Sequence, residues 1–118
     1  MTQPPGRRTV TPRIFTADVD GLADFVKFVF GATGEVHPGH PAEITIGDST
    51  IMISDGRDPL PGCLYVYVED ADRTYRRAIA AGAVSAEAPA DMPWGDRRGI
   101  VTDAWGNSWQ IATYRAPK

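Results

Sequence analysis

Few residues of this sequence have side chains that commonly carry out chemistry. There is one cysteine, Cys63, and there are two histidines, His37 and His40, on either side of a Pro-Gly pair. A cysteine reacts as a nucleophile when a neighbouring base or cation lowers its pKa, and the sequence places no histidine beside Cys63. We therefore favour a buried, unreactive thiol over a nucleophilic or redox-active one.

The two histidines and Glu43 suggest a metal site. Imidazole and carboxylate groups are good ligands for a divalent cation. However, the three residues are spread across a predicted turn, so their side chains need not converge. We favour a surface loop with incidental histidines.

Large aromatic side chains are numerous for such a short chain. Rings on strands usually pack in a core or at a subunit interface, but an exposed ring can stack on a planar ligand. Trp94 falls in a long loop that is a candidate lid over a binding cleft. The rings considered are Tyr65, Tyr67, Trp94, Trp105, Trp109 and Tyr114. Among the charged residues, Arg13 is a candidate partner for an anion. Asp96 and Arg97 are predicted to pair with each other and so to fix the loop that carries Trp94.

Composition narrows the function classes. The 118 residues fit one domain, and a net charge of -3 provides no basic surface for nucleic acid. A single cysteine cannot form an intrachain disulfide, which favours a reducing compartment, the cytoplasm. No apolar run approaches the roughly 18 residues of a transmembrane helix, and residues 1–10 lack the apolar core of a signal peptide. Arginine outnumbers lysine ten to two, which is typical of GC-rich bacterial genomes.

The first half of the chain alternates between the periods of strands and of a helix. An apolar stripe at i, i+3, i+4, i+7 and i+8 predicts the helix, and alternation predicts the strands. The predicted elements are a disordered tail over 1–8, a strand over 10–16, a helix capped by Asp18 or Asp20 and ended by Gly31 and Gly34, a short strand over 35–37 and a hairpin with its turn at Gly47-Asp48.

The second half follows a linker over 55–62 and has a similar pattern. Asp70 is predicted to cap its helix, with Ala71, Tyr75, Ala78 and Ile79 on the buried side. The remaining predicted elements are strands over 63–68, 84–88, 99–103 and 108–114, a loop over 90–98 and a turn at Trp105-Gly106-Asn107.

The two halves repeat one another. Asp18-Val19-Asp20 matches Asp70-Ala71-Asp72 at an offset of 52, whereas Gly47-Asp48-Ser49 matches Gly106-Asn107-Ser108 at an offset of 59. Each half is predicted to be a βαβββ module, over about 9–56 and 62–115, within a single domain over 9–116. Neither module could bury both faces of its own sheet, so we expect the two to pair.

This duplicated layout resembles the glyoxalase, bleomycin-resistance and extradiol-dioxygenase superfamily, also called the vicinal oxygen chelate superfamily. The motifs that carry the resemblance are the string from Trp94 to Thr113, the stretch from Leu64 to Asp72 and the Gly47-Asp48-Ser49 hairpin. The resemblance implies an α+β fold in which two βαβββ modules form a curved mixed sheet around a cleft. It also implies a homodimer, and a site where metal-dependent members use His or Gln, His, Glu and Glu.

The positions that match those ligands carry Thr11, Ile51, Cys63 and Gln110. Isoleucine cannot coordinate a metal, and a threonine hydroxyl and a glutamine amide are weak ligands. The resemblance therefore implies a fold without its usual metal, and no cofactor is expected.

Alternation along the strands assigns further side chains to the cleft. By parity with Cys63 and Gln110, the cleft side includes Tyr65, Tyr67, Ala112 and Tyr114, whereas Trp109 and Ile111 face the helices. The candidate ligand-binding residues are Thr11, Arg13, Ile51, Cys63, Tyr65, Tyr67, Trp94, Gln110 and Tyr114.

These observations favour a metal-free protein that binds a small planar or amphipathic molecule in an aromatic-lined cleft, for example to sequester an antibiotic. One alternative is a metal-dependent lyase, isomerase or dioxygenase with atypical ligands, and another is a metal-free isomerase or epimerase with Glu43 or another acid as its base. A module that serves homodimerisation is compatible with either.

Overall fold

The structure is a computed structural model that describes residues 2–56 and 58–117. These residues form two helices and seven strands. The chain divides into two compact units, one ending at Leu60 and the other beginning at Pro61. The predicted α+β class is confirmed, with one sheet in each unit. Within the described ranges, no helix has both the length and the apolar character needed to cross a membrane.

The first unit combines one helix with a three-stranded sheet. Strand β1 (Arg13–Thr16) runs parallel to β3 (Ser49–Asp55), which pairs antiparallel with β2 (Ala42–Ile46). Helix α1 (Val19–Phe30) packs its apolar stripe on β2 and β3. Four side chains at this contact are at most 1% exposed, so they form the core of the unit: Leu22, Val26, Ile44 and Ile53.

The ends of helix α1 follow from two residues that the sequence singled out. Asp18 is the N-cap, and its Oδ1 accepts a hydrogen bond from the backbone nitrogen of Gly21 at 3.0 Å. Gly31 ends the helix with φ of 66°, a left-handed conformation that glycine adopts without steric cost. The prediction of this helix is therefore confirmed, with Asp18 rather than Asp20 as the cap.

The strand predicted over 35–37 is wrong. Only a single bridge from Thr33 to Thr45 joins this part of the chain to β2. Gly34 has φ of 140°, and a Cβ there would lie 2.4 Å from the carbonyl oxygen of Glu43. The chain turns at this glycine and then reaches Pro38 and Pro41, which lack the amide that a strand donates. The first unit is consequently βαββ with a bridge, rather than βαβββ.

The second unit is a βαβββ module. Its sheet has the strand order β4-β7-β6-β5, in which β4 and β7 are parallel and the other pairs antiparallel. Trp109 and Ile111 on β7 are fully buried, as their parity predicted. The bounds are β4 (Cys63–Tyr67), α2 (Ala71–Ala80), β5 (Val84–Asp91), β6 (Arg97–Thr102) and β7 (Ser108–Thr113).

Helix α2 differs from its prediction on one side. Asp70 is the N-cap, as expected, and Ala71 and Ala78 are buried. Ile79, however, is 38% exposed, so its predicted burial is wrong. The buried face is centred on Ala71 and Ala78, with Tyr75 half-buried between them, and Ile79 lies farther around the helix.

Strand β5 is longer than the predicted 84–88. Its pairing with β6 shifts register between Ser85 and Glu87 and again between Glu87 and Ala90, so the strand continues through two irregularities. The loop predicted over 90–98 therefore shrinks to residues 92–96, between β5 and β6.

Candidate functional site

The second unit has a sheet surface that helix α2 leaves uncovered. Along β4, β6 and β7, the side chains on this surface alternate with side chains that point toward the helix. Gln110 pairs with Tyr65 on one side and with Ile100 on the other, so these three side chains lie side by side across the strands. We call this surface the open face. It comprises Cys63, Tyr65, Tyr67, Glu87, Arg98, Ile100 and Gln110, and the same side of the sheet carries Ala112, which is fully buried.

A chain of polar contacts crosses the open face. Arg98 donates from Nη1 to Oε1 of Gln110 at 3.0 Å and from Nη2 to Oε2 of Glu87 at 3.2 Å. Nε2 of Gln110 in turn lies 3.8 Å from Sγ of Cys63. The guanidinium thus fixes the amide of Gln110 with its oxygen toward Arg98 and its nitrogen toward Cys63.

Aromatic rings flank this chain. The rings of Tyr65 and Tyr67 have centroids 5.3 Å apart, and the guanidinium carbon of Arg98 lies 5.4 Å from the centre of the Trp94 ring. The three rings are exposed by 38%, 61% and 48% for Tyr65, Tyr67 and Trp94. Large apolar groups are thus held at the surface, where a planar molecule can stack on them.

Asp96 lies beneath these rings and is only 2% exposed. Its Oδ2 accepts a hydrogen bond from the hydroxyl of Tyr65 at 2.8 Å. That bond lowers the pKa of Asp96, and hydrogen bonds from the backbone of Arg115 and the side chains of Trp94 and Tyr67 lower it further. Partial burial, together with the carboxylate of Asp96, raises the pKa of both Tyr65 and Tyr67.

The loop over 92–96 carries both Trp94 and Asp96. The backbone nitrogen of Met92 donates to the carbonyl of Asp96 at 2.7 Å, and that of Gly95 donates to Met92 at 2.9 Å. Gly95 has φ of 111°, and a Cβ there would lie 2.4 Å from the carbonyl oxygen of Arg115. The loop is thus a tight turn rather than the long lid that the sequence suggested.

The predicted pairing of Asp96 with Arg97 is wrong. Arg97 donates from Nε to Asp72 at 3.0 Å and from Nη1 to Asp91 at 3.2 Å, on the helix side of the sheet. These two carboxylates raise the pKa of Arg97. Neighbouring residues on a strand point to opposite faces, so Arg97 and Arg98 have different partners.

Cys63 is exposed, so the expectation of a buried thiol is wrong. It is the first residue of β4, which is an edge strand of the sheet. Tyr114 follows β7 and is 67% exposed. Both residues are accessible to a ligand, and their role in binding stays a prediction.

Ile51 lies on the buried face of the first unit, with 3% exposure. Arg13 pairs with Met52 across β1 and β3, just as Tyr65 pairs with Gln110 across β4 and β7. Met52, not Ile51, is therefore the counterpart of Gln110. The offset of 59 was one residue too long for this strand, and a slip of one residue moves a side chain to the other face.

Thr11 and Arg13 already have partners within the first unit. The hydroxyl of Thr11 lies 3.4 Å from Nη2 of Arg7, which also pairs with Glu43. Nε of Arg13 donates to Ser54 at 3.0 Å, and its guanidinium lies over the ring of Phe15. Anion binding by Arg13 stays a prediction, as does disorder of residues 1–8 in solution.

The histidines border a separate cavity in the first unit. It has a volume of about 800 Å³ and is lined by the 35–41 segment, Glu43 and Met52. Nε2 of His37 lies 3.3 Å from a carboxylate oxygen of Glu35. Over the part of the chain that the structure describes, no three His, Cys, Asp or Glu side chains come close enough to hold a metal ion.

The matched ligand positions also fit a cation poorly. The two oxygen donors among them, on Thr11 and Gln110, each lie within hydrogen-bonding distance of a guanidinium, from Arg7 and Arg98 respectively. A positive charge at that distance repels a second cation. Met52 offers only a soft thioether, and Cys63 is a single thiol.

Comparison with known proteins agrees with this architecture. The sequence model of the Glyoxalase/Bleomycin resistance protein/Dioxygenase superfamily matches residues 8–111. The chain belongs to this superfamily. Among its relatives are the uncharacterized proteins Rv0887c of Mycobacterium tuberculosis and Mb0911c of Mycobacterium bovis. Each is 30% identical over an alignment of 123 positions, gaps included. The alignment covers 86% of this chain, 72% of Rv0887c and 80% of Mb0911c.

Solved structures of other proteins have the same fold. TioX from Micromonospora sp. ML1 superposes with a TM-score of 0.77 and 24% identity, over 92% of this chain and 99% of that one. A glyoxalase/bleomycin resistance protein/dioxygenase family enzyme from Burkholderia phytofirmans PsJN gives 0.74 and 21%, over 86% and 94%. At these identities the likeness shows the fold alone.

The donor set leads to a prediction about metal content. We expect this superfamily member, purified after growth with added zinc, manganese and iron, to contain far less than one equivalent of divalent metal, because guanidinium groups occupy the oxygen donors. Elemental analysis measures this directly. One equivalent of metal that is lost in the Gln110→Ala variant would contradict the prediction and favour a metal-dependent lyase, isomerase or dioxygenase.

Proposed function

We propose that this superfamily member binds a small planar or amphipathic molecule on the open face without transforming it. The observation that carries the proposal is the exposure of Trp94, Tyr65 and Tyr67 around one buried carboxylate, Asp96. Exposed rings whose polar atoms are already bonded to the protein are fixed before a ligand arrives. Such preorganisation reduces the entropy that binding would otherwise lose.

The chemistry of the open face supports binding rather than catalysis. Cys63 has the amide of Gln110 beside it, and an amide is not a base. Asp96 accepts hydrogen bonds from the rings, and its lowered pKa keeps it ionised and poorly suited to donating a proton. Glu87 is paired with Arg98. These pairings support a surface that recognises shape and rings.

The superfamily name includes bleomycin resistance proteins. Sequestration of an antibiotic with a planar ring system is therefore the specific role we propose. We also propose that the protein is a cytoplasmic homodimer, because it carries one exposed free cysteine and an exposed edge strand, β5, with Val84 70% exposed. Sedimentation equilibrium tests the dimer.

Stacking on Trp94 can be tested with naphthamide, a neutral planar probe. We expect Trp94→Ala to weaken its binding about tenfold, since an aromatic pair contributes about 0.5–1.5 kcal/mol beyond buried area. Proton–nitrogen correlation spectra follow the titration and locate the contact at the Trp94 indole.

The matched control for this variant is Phe28→Ala. Phe28 is 52% exposed, close to the 48% of Trp94, but it lies on α1 in the first unit. We expect it to leave the naphthamide affinity unchanged. Equal losses in the two variants, or none in Trp94→Ala, would argue against a stacking site on the open face.

A further inference from the structure

Arg98 carries a buried hydrogen-bond donor on the open face that has no partner among the described residues. Its side chain is only 14% exposed, and its Nε is buried without a hydrogen-bond partner among the described residues. A buried donor left unpaired is costly, and each such group calls for an explanation. Because this nitrogen is buried, an acceptor from outside the protein would satisfy it only by replacing a group that now packs against the guanidinium.

The orientation of Gln110 points to the same kind of ligand. Because Arg98 holds the amide oxygen, the amide nitrogen of Gln110 is directed toward Cys63 and the exposed end of β4. The open face therefore offers donors from Arg98 and Gln110 beside the stacking rings. Donors of this kind select an oxygen that accepts hydrogen bonds, and a guanidinium favours a carboxylate most because it can bind both oxygens.

The acid that now pairs with Arg98 is easily displaced. Glu87 has a side chain 55% exposed and reaches Arg98 through one contact of 3.2 Å. It lies between the two register shifts of the edge strand β5, where the backbone is least constrained by pairing. An ion pair whose acid is largely exposed to solvent in this way contributes little to stability.

We propose that the ligand of the open face is a planar molecule bearing a carboxylate, and that this carboxylate takes the place of Glu87 on Arg98 while the ring system stacks on Trp94. This inference rests on the proposed function and names its ligand class. Gln110, which Arg98 contacts, is the position matched to a metal ligand of metal-dependent relatives. Arg98 then supplies a positive charge beside that position, as the cation does in those relatives.

The test compares two probes that differ in one group, naphthoate and naphthamide with the substituent at the same ring position. At neutral pH we expect wild-type protein to bind naphthoate about tenfold more tightly than naphthamide, which corresponds to one charge-assisted hydrogen-bonded contact. The Nε–H signal of Arg98 in proton–nitrogen spectra should shift with naphthoate and not with naphthamide.

Two variants should change the preference in opposite directions. Glu87→Gln removes the competing carboxylate, so we expect the preference for naphthoate over naphthamide to widen severalfold. Arg98→Gln should abolish the preference, so that the variant binds naphthoate and naphthamide equally. If Arg98→Gln fails to fold, as judged by its thermal transition, the Glu87→Gln result and the Arg98 Nε–H shift decide the matter on folded protein.

The outcomes separate the two proposals. Equal binding of both probes by wild-type protein, or a preference that persists in Arg98→Gln, would overturn the role of Arg98 and leave the ring-binding site standing. Binding of neither probe would count against the proposed function and the carboxylate inference together.

Discussion

Asp103→Ala is expected to lower the free energy of unfolding by about 3–5 kcal/mol, the largest stability loss of any single change considered for this chain. Asp103 is 5% exposed and lies directly after β6. Its carboxylate accepts hydrogen bonds from the backbone nitrogens of Trp105 and Asn107, both at 2.9 Å. It also accepts from Nδ2 of Asn107 at 2.9 Å and from Nε1 of Trp109 at 2.7 Å.

The size of the loss follows from how many donors would be stranded. Trp109 and Asn107 are fully buried, so without Asp103 their nitrogen atoms would have neither this acceptor nor water. Each unsatisfied buried donor costs about 1–3 kcal/mol. Asn107 also accepts from the backbone of Gly62 at 2.8 Å, so a disturbed turn would release the start of β4 as well.

The first unit provides the matched control. Asp48 lies in the corresponding hairpin turn between β2 and β3, but its side chain is 85% exposed, accepts a hydrogen bond from the hydroxyl of Ser49 and forms a long ion pair of 3.7 Å with the exposed Arg8. We expect Asp48→Ala to change the free energy of unfolding by less than about 0.5 kcal/mol. Chemical denaturation of both variants measures the difference, and similar losses in the two would show that Asp103 does not hold the turn.

Elements governed by local periodicity could be predicted from the sequence. The stripe of α1, its Asp18 cap and the alternation on β7 depend on residues near one another in the chain. Repetition of short motifs was enough to indicate the duplicated fold. The predicted strand over 35–37 failed because a glycine and two prolines, each tolerable alone, together remove the pairing.

Side-chain networks were harder to predict, because they depend on register between strands. An error of one residue at the last strand of the first unit made Ile51, rather than Met52, the counterpart of Gln110. Arg98 escaped notice, and Asp96 was assigned the wrong partner, because their actual partners, Gln110 and Tyr65, are 12 and 31 residues away in the chain. The sequence did contain a signal for this arrangement. Trp94, Asp96 and Arg98 are two residues apart, which is the spacing of side chains on one face of a strand, and they lead into β6.

Asp96→Ala is expected to weaken the binding of naphthamide more than tenfold, a larger effect than loss of any single ring. The carboxylate accepts a hydrogen bond from Tyr65, and interactions with Tyr67 and Trp94 contribute to its lowered pKa. Without it, the hydroxyl of Tyr65 would have to turn to water, and the rings would no longer be held in one arrangement. The affinity that preorganisation provided would be lost.

Two milder variants separate the charge of Asp96 from its shape. Asp96→Asn keeps an acceptor but removes the negative charge, so the pKa of Tyr65 should fall toward its ordinary value while ring binding is partly retained. Tyr65→Phe keeps the ring and removes the hydroxyl, and its naphthamide affinity should lie between those of wild type and Asp96→Ala. Ultraviolet absorbance of tyrosinate follows the titration, and the difference from Tyr65→Phe isolates the pKa of Tyr65 among the four tyrosines.

The pH dependence of stability gives an independent check on the same carboxylate. The pKa of Asp96 is lower in the folded protein than its ordinary value of 3.8, so its contribution to stability is fully present above that value and is lost as the pH falls through the lower, folded pKa. The melting temperature of Asp96→Asn should therefore lie below that of wild type by a constant amount at mildly acidic and neutral pH. The gap should close in stronger acid. A gap that stays constant down to the acid limit would mean that Asp96 is not ionised beneath the rings. That result would contradict the view that its negative charge stabilises the arrangement of rings on the open face.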